Sequence, residues 1–204
     1  VLSALRKGGV IDRLLSAAAL LAISLPSFLT GVLLLKVFAV DLRVAPLFGM
    51  RDPSIAGAGF FAELIDVLRH AALPAAALSA AVSAGFFRYT RACVLDTMSR
   101  DYIRTARAKG LSPGAVFFKH ALRNALLPIL TLAGLWIPAL FSGAVVTETV
   151  FAWPGLGQLG VSAVLSRDYP LLMGVVMLTC LLTMGACLAA DILYAAADPR
   201  IRYE

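Results

Sequence analysis

Charge is scarce in this chain. Lys, Arg, Asp and Glu make up 15% of its 204 residues, against about 25% in a soluble domain. Apolar residues make up 60%, where soluble domains hold roughly 45–50%, and mean hydropathy is +0.88. The two shifts together exclude a soluble globular enzyme, a disordered tail and a secreted disulfide scaffold. Cysteine is scarce too. Cys93, Cys180 and Cys187 are odd in number and lie in or near apolar runs. They read as small apolar fillers, with neither a disulfide framework nor a zinc pattern. The two histidines, His70 and His120, fall between the apolar runs. They read as surface residues without metal-ligand spacing. No Gly-x-x-x-x-Gly-Lys-Ser/Thr stretch is present, so a phosphate-cradling loop of that type is excluded. No acid sits in the middle of an apolar run, which removes support for a proton relay. No repeat of 20 to 50 residues is evident.

What the chain does hold is long apolar runs. A helix that crosses a bilayer needs about 20 mostly apolar residues. Four runs qualify, at approximately 14–40, 71–95, 126–149 and 170–197. The expected fold is all-α: a polytopic membrane helix bundle with four transmembrane helices, forming a single domain over 1–204. Pro26 predicts a kink in the first run, and Lys36 near its end can snorkel to the interface. The 60–69 stretch reads as a short surface helix. The second span is then expected to begin near Ala71, with Pro74 in its first turn. That span is rich in Ala and Ser, which allow close helix approach in lipid. Residues 151–169 read as a short loop.

Net charge is +6, and its distribution sets orientation. Segments 1–13, 88–125 and 198–204 hold 13 of the 18 Lys and Arg. By the positive-inside rule these segments face the cytoplasm. Both ends of the chain and the 96–125 loop are therefore expected on that side.

The 96–125 loop is long and reads as structured. Ser99 is a candidate cap for a helix reaching about Lys109, and Gly110 suits the left-handed position past its end. Ser112 offers a second cap, with Pro113 at the first helical position. Val116, Phe117, Phe118, Ala121 and Leu122 then recur at helical spacing. Arg100, Arg104, Arg107, Lys109, Lys119 and Arg123 outnumber Asp96 and Asp101. A basic loop that holds topology and touches anionic lipid is one reading. A docking element for a cytoplasmic partner is the other, and the residues alone leave both open.

Asp101-Tyr102-Ile103-Arg104-Thr105-Ala106-Arg107-Ala108-Lys109-Gly110-Leu111, followed by His120-Ala121-Leu122-Arg123-Asn124-Ala125-Leu126-Leu127-Pro128, resembles the cytoplasmic loop of ABC-type importer permeases. The resemblance is strongest to the dipeptide, oligopeptide and nickel branch. Glu148-Thr149-Val150-Phe151-Ala152-Trp153-Pro154-Gly155-Leu156-Gly157, with Arg167-Asp168-Tyr169-Pro170, is similar to the outer loop of the first of two permeases in that branch. Asp198-Pro199-Arg200-Ile201-Arg202 resembles its end. The general motif reads Glu-Ala-Ala, three residues, then Gly. Here Arg104-Thr105-Ala106 stands in the triplet, and the nearest acid, Asp101, is a turn earlier.

The resemblance implies a transport subunit of the inner membrane, not an enzyme, that moves short peptides, nickel or another small solute. No cofactor is expected in this chain, since ATP is held by two separate cytoplasmic ATPase subunits. The other implied partners are a second, distinct permease, an extracytoplasmic substrate-binding protein and the lipid bilayer, with no nucleic acid. Asp101, Arg104, Thr105, Ala106, Arg107, Lys109, Gly110, Leu111 and Ser112 would form the ATPase-coupling loop. Phe117, Phe118 and Leu122 would seat the helix after it. Ser27, Thr30, Ser79, Ser83, Thr131, Ser142 and Thr179 are candidates for the substrate path, each read first as a helix-packing residue. Family members of this type have six spans. The chain is therefore expected to start in the cytoplasmic loop after the second, as a truncated permease carrying the last four. The rival reading is an ion-coupled secondary transporter, which requires midplane carboxylates or paired broken helices. Pro26 and Pro138 supply possible breaks, but the carboxylates are missing. A membrane serine protease built on Ser162 would need a base, and no histidine lies in any span.

Overall fold

The structure is a computed structural model that describes residues 2–5, 7–137 and 144–197. Every regular element among them is helical. The order is α1 (Leu2–Leu5), α2 (Val10–Ser24), α3 (Ser27–Leu34), α4 (Phe60–Ser99), α5 (Asp101–Ala108), α6 (Pro113–Ala115), α7 (Arg123–Trp136), α8 (Val145–Val150), α9 (Leu156–Leu165) and α10 (Tyr169–Ala197). Wide π-type turns occupy Leu35–Asp41 and Val116–Leu122, and a 3₁₀ turn spans Pro53–Ile55. Two compact units emerge. One comprises Val1–Ala22, Ser83–Pro138 and Gly185–Glu204, the other Ile23–Val82 and Ala139–Met184.

The first unit is built on a small apolar core. Val94 and Ile103 are wholly buried, and Ala4, Ala106, Val116, Phe117, Ala121 and Ala125 close around them. The N-terminal segment is pinned to α4 by charge. Arg91 donates through Nε and an Nη to the two oxygens of Asp12, at 2.7 and 2.8 Å. Ser3 Oγ donates to the same carboxylate, as does the Gly8 N–H at 2.8 Å. Gly8 has φ +80°, a backbone state open to glycine at little cost. Asp12 is buried, so its charge is tolerated only because every side of the carboxylate is answered.

In the second unit a carboxylate again organises the chain. Glu148, on α8, reaches back to the Ala144 N–H at 3.1 Å and across to the Gln158 N–H at 2.7 Å. The second bond caps α9, whose own N-cap is Gly155 and offers no side chain. The anion also faces the positive end of that helix. Close approach explains the glycines. A Cβ on Gly155 would overlap the Glu148 carboxylate, and one on Gly157 would sit 2.7 Å from Val145 Cγ2. Phe151 is buried beside Leu35, Ala39, Leu73 and Ala77. Its ring lies against Gly31, where a Cβ would come within 2.9 Å of it.

The helices differ from expectation in several places. The first apolar run is broken, not kinked: α2 stops at Ser24 and α3 restarts at Ser27. Pro26 has no N–H and forces Leu25 away from the helical region. The expected surface helix at 60–69 and the second span are one 40-residue helix, α4, with Pro74 inside it. At 1.5 Å per residue it is about 60 Å long, roughly twice the hydrocarbon thickness. Residues 151–169 are not a simple loop, since they contain the ten-residue α9. The expected 170–197 span matches α10 closely. Residues 138–143, within the expected 126–149 span, lie outside the described residues; α7 and α8 flank them. Among the described residues, two helices are long and apolar enough to cross a membrane, α4 and Tyr169–Ile192, or three if α2 and Ser27–Asp41 form one broken span.

Two expectations follow for stability in detergent. Asp12→Asn lowers the Tm, and combining it with Arg91→Gln costs less than the sum of the single changes. Additive losses would contradict the pairing. Gly155→Ala also lowers the Tm by displacing Glu148 from α9, whereas in a Glu148→Ala background the same change is close to neutral.

Candidate functional site

The 96–125 segment folds as a short amphipathic helix, a glycine stop and a second capped helix. Helix α4 ends at Ser99, and Arg100 is extended, with ψ 149°. Helix α5 then starts at Asp101. The expected cap at Ser99 does not form: its Oγ donates instead to the Asp96 carbonyl of α4 at 2.7 Å. Arg100 folds back onto Asp96, with its closest contact at 2.7 Å. Asp101 in the first turn and Arg107 in the last match the helix dipole.

The end of α5 is closed by paired bonds across Gly110. The Gly110 N–H donates to Arg107 O at 3.0 Å and the Leu111 N–H to Ala106 O at 3.4 Å. This is the Schellman arrangement, which needs a left-handed residue past the C-cap. Gly110 supplies it, at φ +77°. The next helix opens as expected. Ser112 Oγ accepts from the Ala115 N–H at 3.3 Å, and Pro113 occupies the first helical position.

Burial splits α5 into two faces. Ile103 and Ala106 are buried in the core shared with Val94 of α4 and with Val116, Phe117 and Ala121 of the following turn. Asp101, Arg104, Thr105, Arg107, Lys109, Gly110, Leu111 and Ser112 are exposed. Of the expected coupling residues, only Ala106 is used internally. Arg104 lies 3.9 Å from Asp101, a loose contact between exposed groups that leaves the guanidinium available to a partner. The expected seating trio needs one correction. Phe117 is buried and Leu122 packs against the core, but Phe118 is 67% exposed. The π turn widens the spacing to five residues, so Val116 and Ala121 take the inward positions and Phe118 turns out. It keeps an edge contact with Phe117, ring centroids 5.1 Å apart.

The candidate path residues are distributed over both compact units. Thr30 Oγ1 donates to Pro26 O at 3.4 Å, Ser79 Oγ to Ala76 O at 3.2 Å and Thr179 Oγ1 to Val175 O at 2.8 Å. These are bonds within or at the start of their own helices. Ser27 opens α3 and Ser83 is exposed on α4. Thr131 lies on α7, and Ser142 is outside the described residues.

Sequence reasoning missed the internal carboxylates. Asp12 reads as a counter-charge in a basic segment and Glu148 as an interfacial residue. A signal for Glu148 was present: an acid followed by a Pro-Gly-x-Gly turn with no capping side chain of its own. His70 was misplaced as well. It lies inside α4, its side chain 8% exposed, with Nδ1 3.2 Å from Asp66. Gly110→Ala is expected to cost about 1–2 kcal/mol, since the left-handed backbone penalises any Cβ even where space is open. Amide exchange at Gly110 and Leu111 should speed up accordingly; unchanged protection would contradict the Schellman closure.

Residues 1–203 match the family described as "Binding-protein-dependent transport system inner membrane component". Similar curated proteins include the oligopeptide transport system permease protein AppB of Bacillus subtilis, 43% identical over all of this chain and 63% of that protein. The di/tripeptide transport system permease protein DppB of Pseudomonas aeruginosa is 39% identical over all of this chain and 65% of its own length. The glutathione transport system permease protein GsiC of Escherichia coli K12 is 43% identical over 95% of this chain and 58% of its own length. The chain thus spans somewhat under two thirds of the length of these relatives. On this match and its apolar helices, the chain belongs to the binding-protein-dependent transport system inner membrane components.

Proposed function

We propose that the chain forms part of the membrane-spanning permease of an ATP-driven importer, and that Asp101–Ser112 docks on a separate ATPase subunit. The observation that carries this reading is the seating of α5. Ile103 and Ala106 hold the helix against Val94, Val116 and Phe117, while Arg104, Thr105, Arg107 and Lys109 face outward. An element that only held topology would need its charges, not a helix closed at its C-terminal end and anchored by a buried core. The excess of Lys and Arg in the basic segments supports a cytoplasmic location for this surface and for both chain ends.

The work would be transmitted as follows. ATP-driven closure of two ATPases moves the clefts that grip α5. Because α5 shares one packed core with α4 and with the helix that continues into α7, it cannot shift alone. Packed interfaces respond by switching between discrete arrangements. The motion therefore passes into both helices at once, alternating the path between its two sides. Arg107 and Lys109 would meet acidic groups on the ATPase. Four spans are part of this reading: α2 with α3, α4, the apolar run over 126–149, and α10.

The relatives' names support a short peptide as the cargo, and the family's dependence on a binding protein supports delivery by one; the path would lie between this chain and a distinct second permease. The ion-coupled alternative is not favoured, since the family is defined by dependence on a binding protein.

The full-length protein, assembled with its ATPases in lipid, tests the docking role. Gly110→Asp with Arg107→Glu is expected to abolish ATPase association or coupled hydrolysis while membrane insertion is kept. Wild type that recruits no ATPase, or a double variant that hydrolyses ATP as wild type does, would contradict the reading.

A further inference from the structure

The charged node at the start of α2 plays no part in the docking surface, yet it lies one helical turn from the core that seats α5. Asp12 stands in the first turn of α2 and is buried. Its carboxylate gathers donors from three other places in the chain. These are Nε and an Nη of Arg91 on α4, the Ser3 hydroxyl on α1, and the Gly8 N–H between α1 and α2. Arg91 precedes Val94 by three residues, so the two share a face of α4. Val94 is wholly buried in the cluster that holds Ile103 and Ala106 of α5. Ala4, the neighbour of Ser3, belongs to the same cluster.

Two features separate this contact from an ordinary ion pair. The first is its reach. Arg91 and Asp12 are 79 residues apart, and no other ion pair among the described residues joins groups more than 12 residues apart. The second is its stiffness. A buried ion pair is on the whole no more stabilising than apolar side chains of the same volume. What it supplies is one fixed geometry. The guanidinium presents two N–H groups in a rigid plane, and each carboxylate oxygen accepts one of them. A fork of this kind resists rotation as well as separation. It also fills a gap in the mechanics. No residue of α2 belongs to the core that seats α5. A displacement of α5 reaches α4 through Ile103 and Val94, and one turn farther on Arg91 holds the first turn of α2.

We infer that Asp12 and Arg91 are positioning residues for transport: their pair is a strut that makes the start of α2 move with α4 when α5 is displaced. The inference rests on the permease reading above and extends it. Packing alone passes the motion from α5 to α4 and to the helix leading into α7. The strut adds α2 as a third output. Ser3 and Gly8 serve the strut by answering the rest of the carboxylate, which leaves its orientation toward Arg91 fixed.

The test uses the full-length permease pair assembled with its ATPases in lipid, with Cys93, Cys180 and Cys187 replaced by Ser. An environment-sensitive thiol-reactive fluorophore is placed by Val10→Cys, at the exposed start of α2, or by Ser99→Cys, at the exposed end of α4. Each emission is compared without nucleotide and after trapping with ATP and vanadate. With the native pair, both positions are expected to shift. In Arg91→Gln, or in Asp12→Asn, the Ser99 position keeps its shift and the Val10 position loses it. Either variant that assembles carries the test. Ser3→Ala removes a donor but leaves the pair, and both shifts are expected to survive. A purely structural role predicts that the two positions fail together, and that outcome overturns the inference. So does a Val10 shift that survives loss of the pair, or one that is lost equally in Ser3→Ala. If the native pair gives a shift at Ser99 and none at Val10, the strut is wrong and the permease reading stands. If neither position shifts in an assembled complex that hydrolyses ATP, the transmission through α5 fails and this inference with it.

Discussion

An eight-residue helix has too few hydrogen bonds to offset its own nucleation in water. Helix α5 persists because Ile103 and Ala106 are buried against Val94, Val116, Phe117 and Ala121. The rest of the exposed α5 surface depends on that contact. It sets which side chains point outward, it joins α5 mechanically to α4 and to the helix leading into α7, and it makes a Schellman end at Gly110 worthwhile. Arg100 provides the single extended residue that lets α4 finish and α5 turn away. Loss of the core would leave a basic loop with the same charge and no stiffness.

A second device recurs through the chain: an acid that holds backbone N–H groups in another segment. Asp12 takes Gly8, Glu148 takes Ala144 and Gln158, Asp66 takes Asp52, and Glu63 takes Gly57. Charge-assisted bonds of this kind are stronger than neutral ones. In a chain with only 12 acidic residues, four are spent on fixing loops to helices. The glycines around Glu148 follow from the same demand, because Gly155 and Gly157 leave room for the carboxylate and for Val145. The motif's acid and its glycines are therefore one structural unit, separated by six residues of chain.

The loop motifs were legible because their chemistry is local. Gly110 past a helix end and Ser112-Pro113 ahead of the next one act within four residues, and both took the expected geometry. The apolar run at 170–197 was legible for the same reason, as composition alone sets it. Pro gave mixed guidance. Pro26 ended a helix outright, whereas Pro74 sits inside α4, where the surrounding turns absorb the missing bond. No local rule separates the two cases. Phe118 was misread because a π turn changes the spacing that sequence periodicity assumes. Partners far apart in sequence, Arg91 with Asp12 above all, 79 residues away, leave no periodic trace in one chain.

Cross-linking between α5 and the ATPase tests the central claim most directly. In a full-length background with Cys93, Cys180 and Cys187 replaced by Ser, a single cysteine is placed by Arg107→Cys or, as the comparison, by Leu165→Cys. The account predicts that the Arg107 position forms an adduct with a cysteine-bearing ATPase subunit, with a yield that changes on ATP binding, and that the Leu165 position forms none. Equal yields from the two positions, or no adduct from Arg107→Cys in an assembled complex, would contradict it.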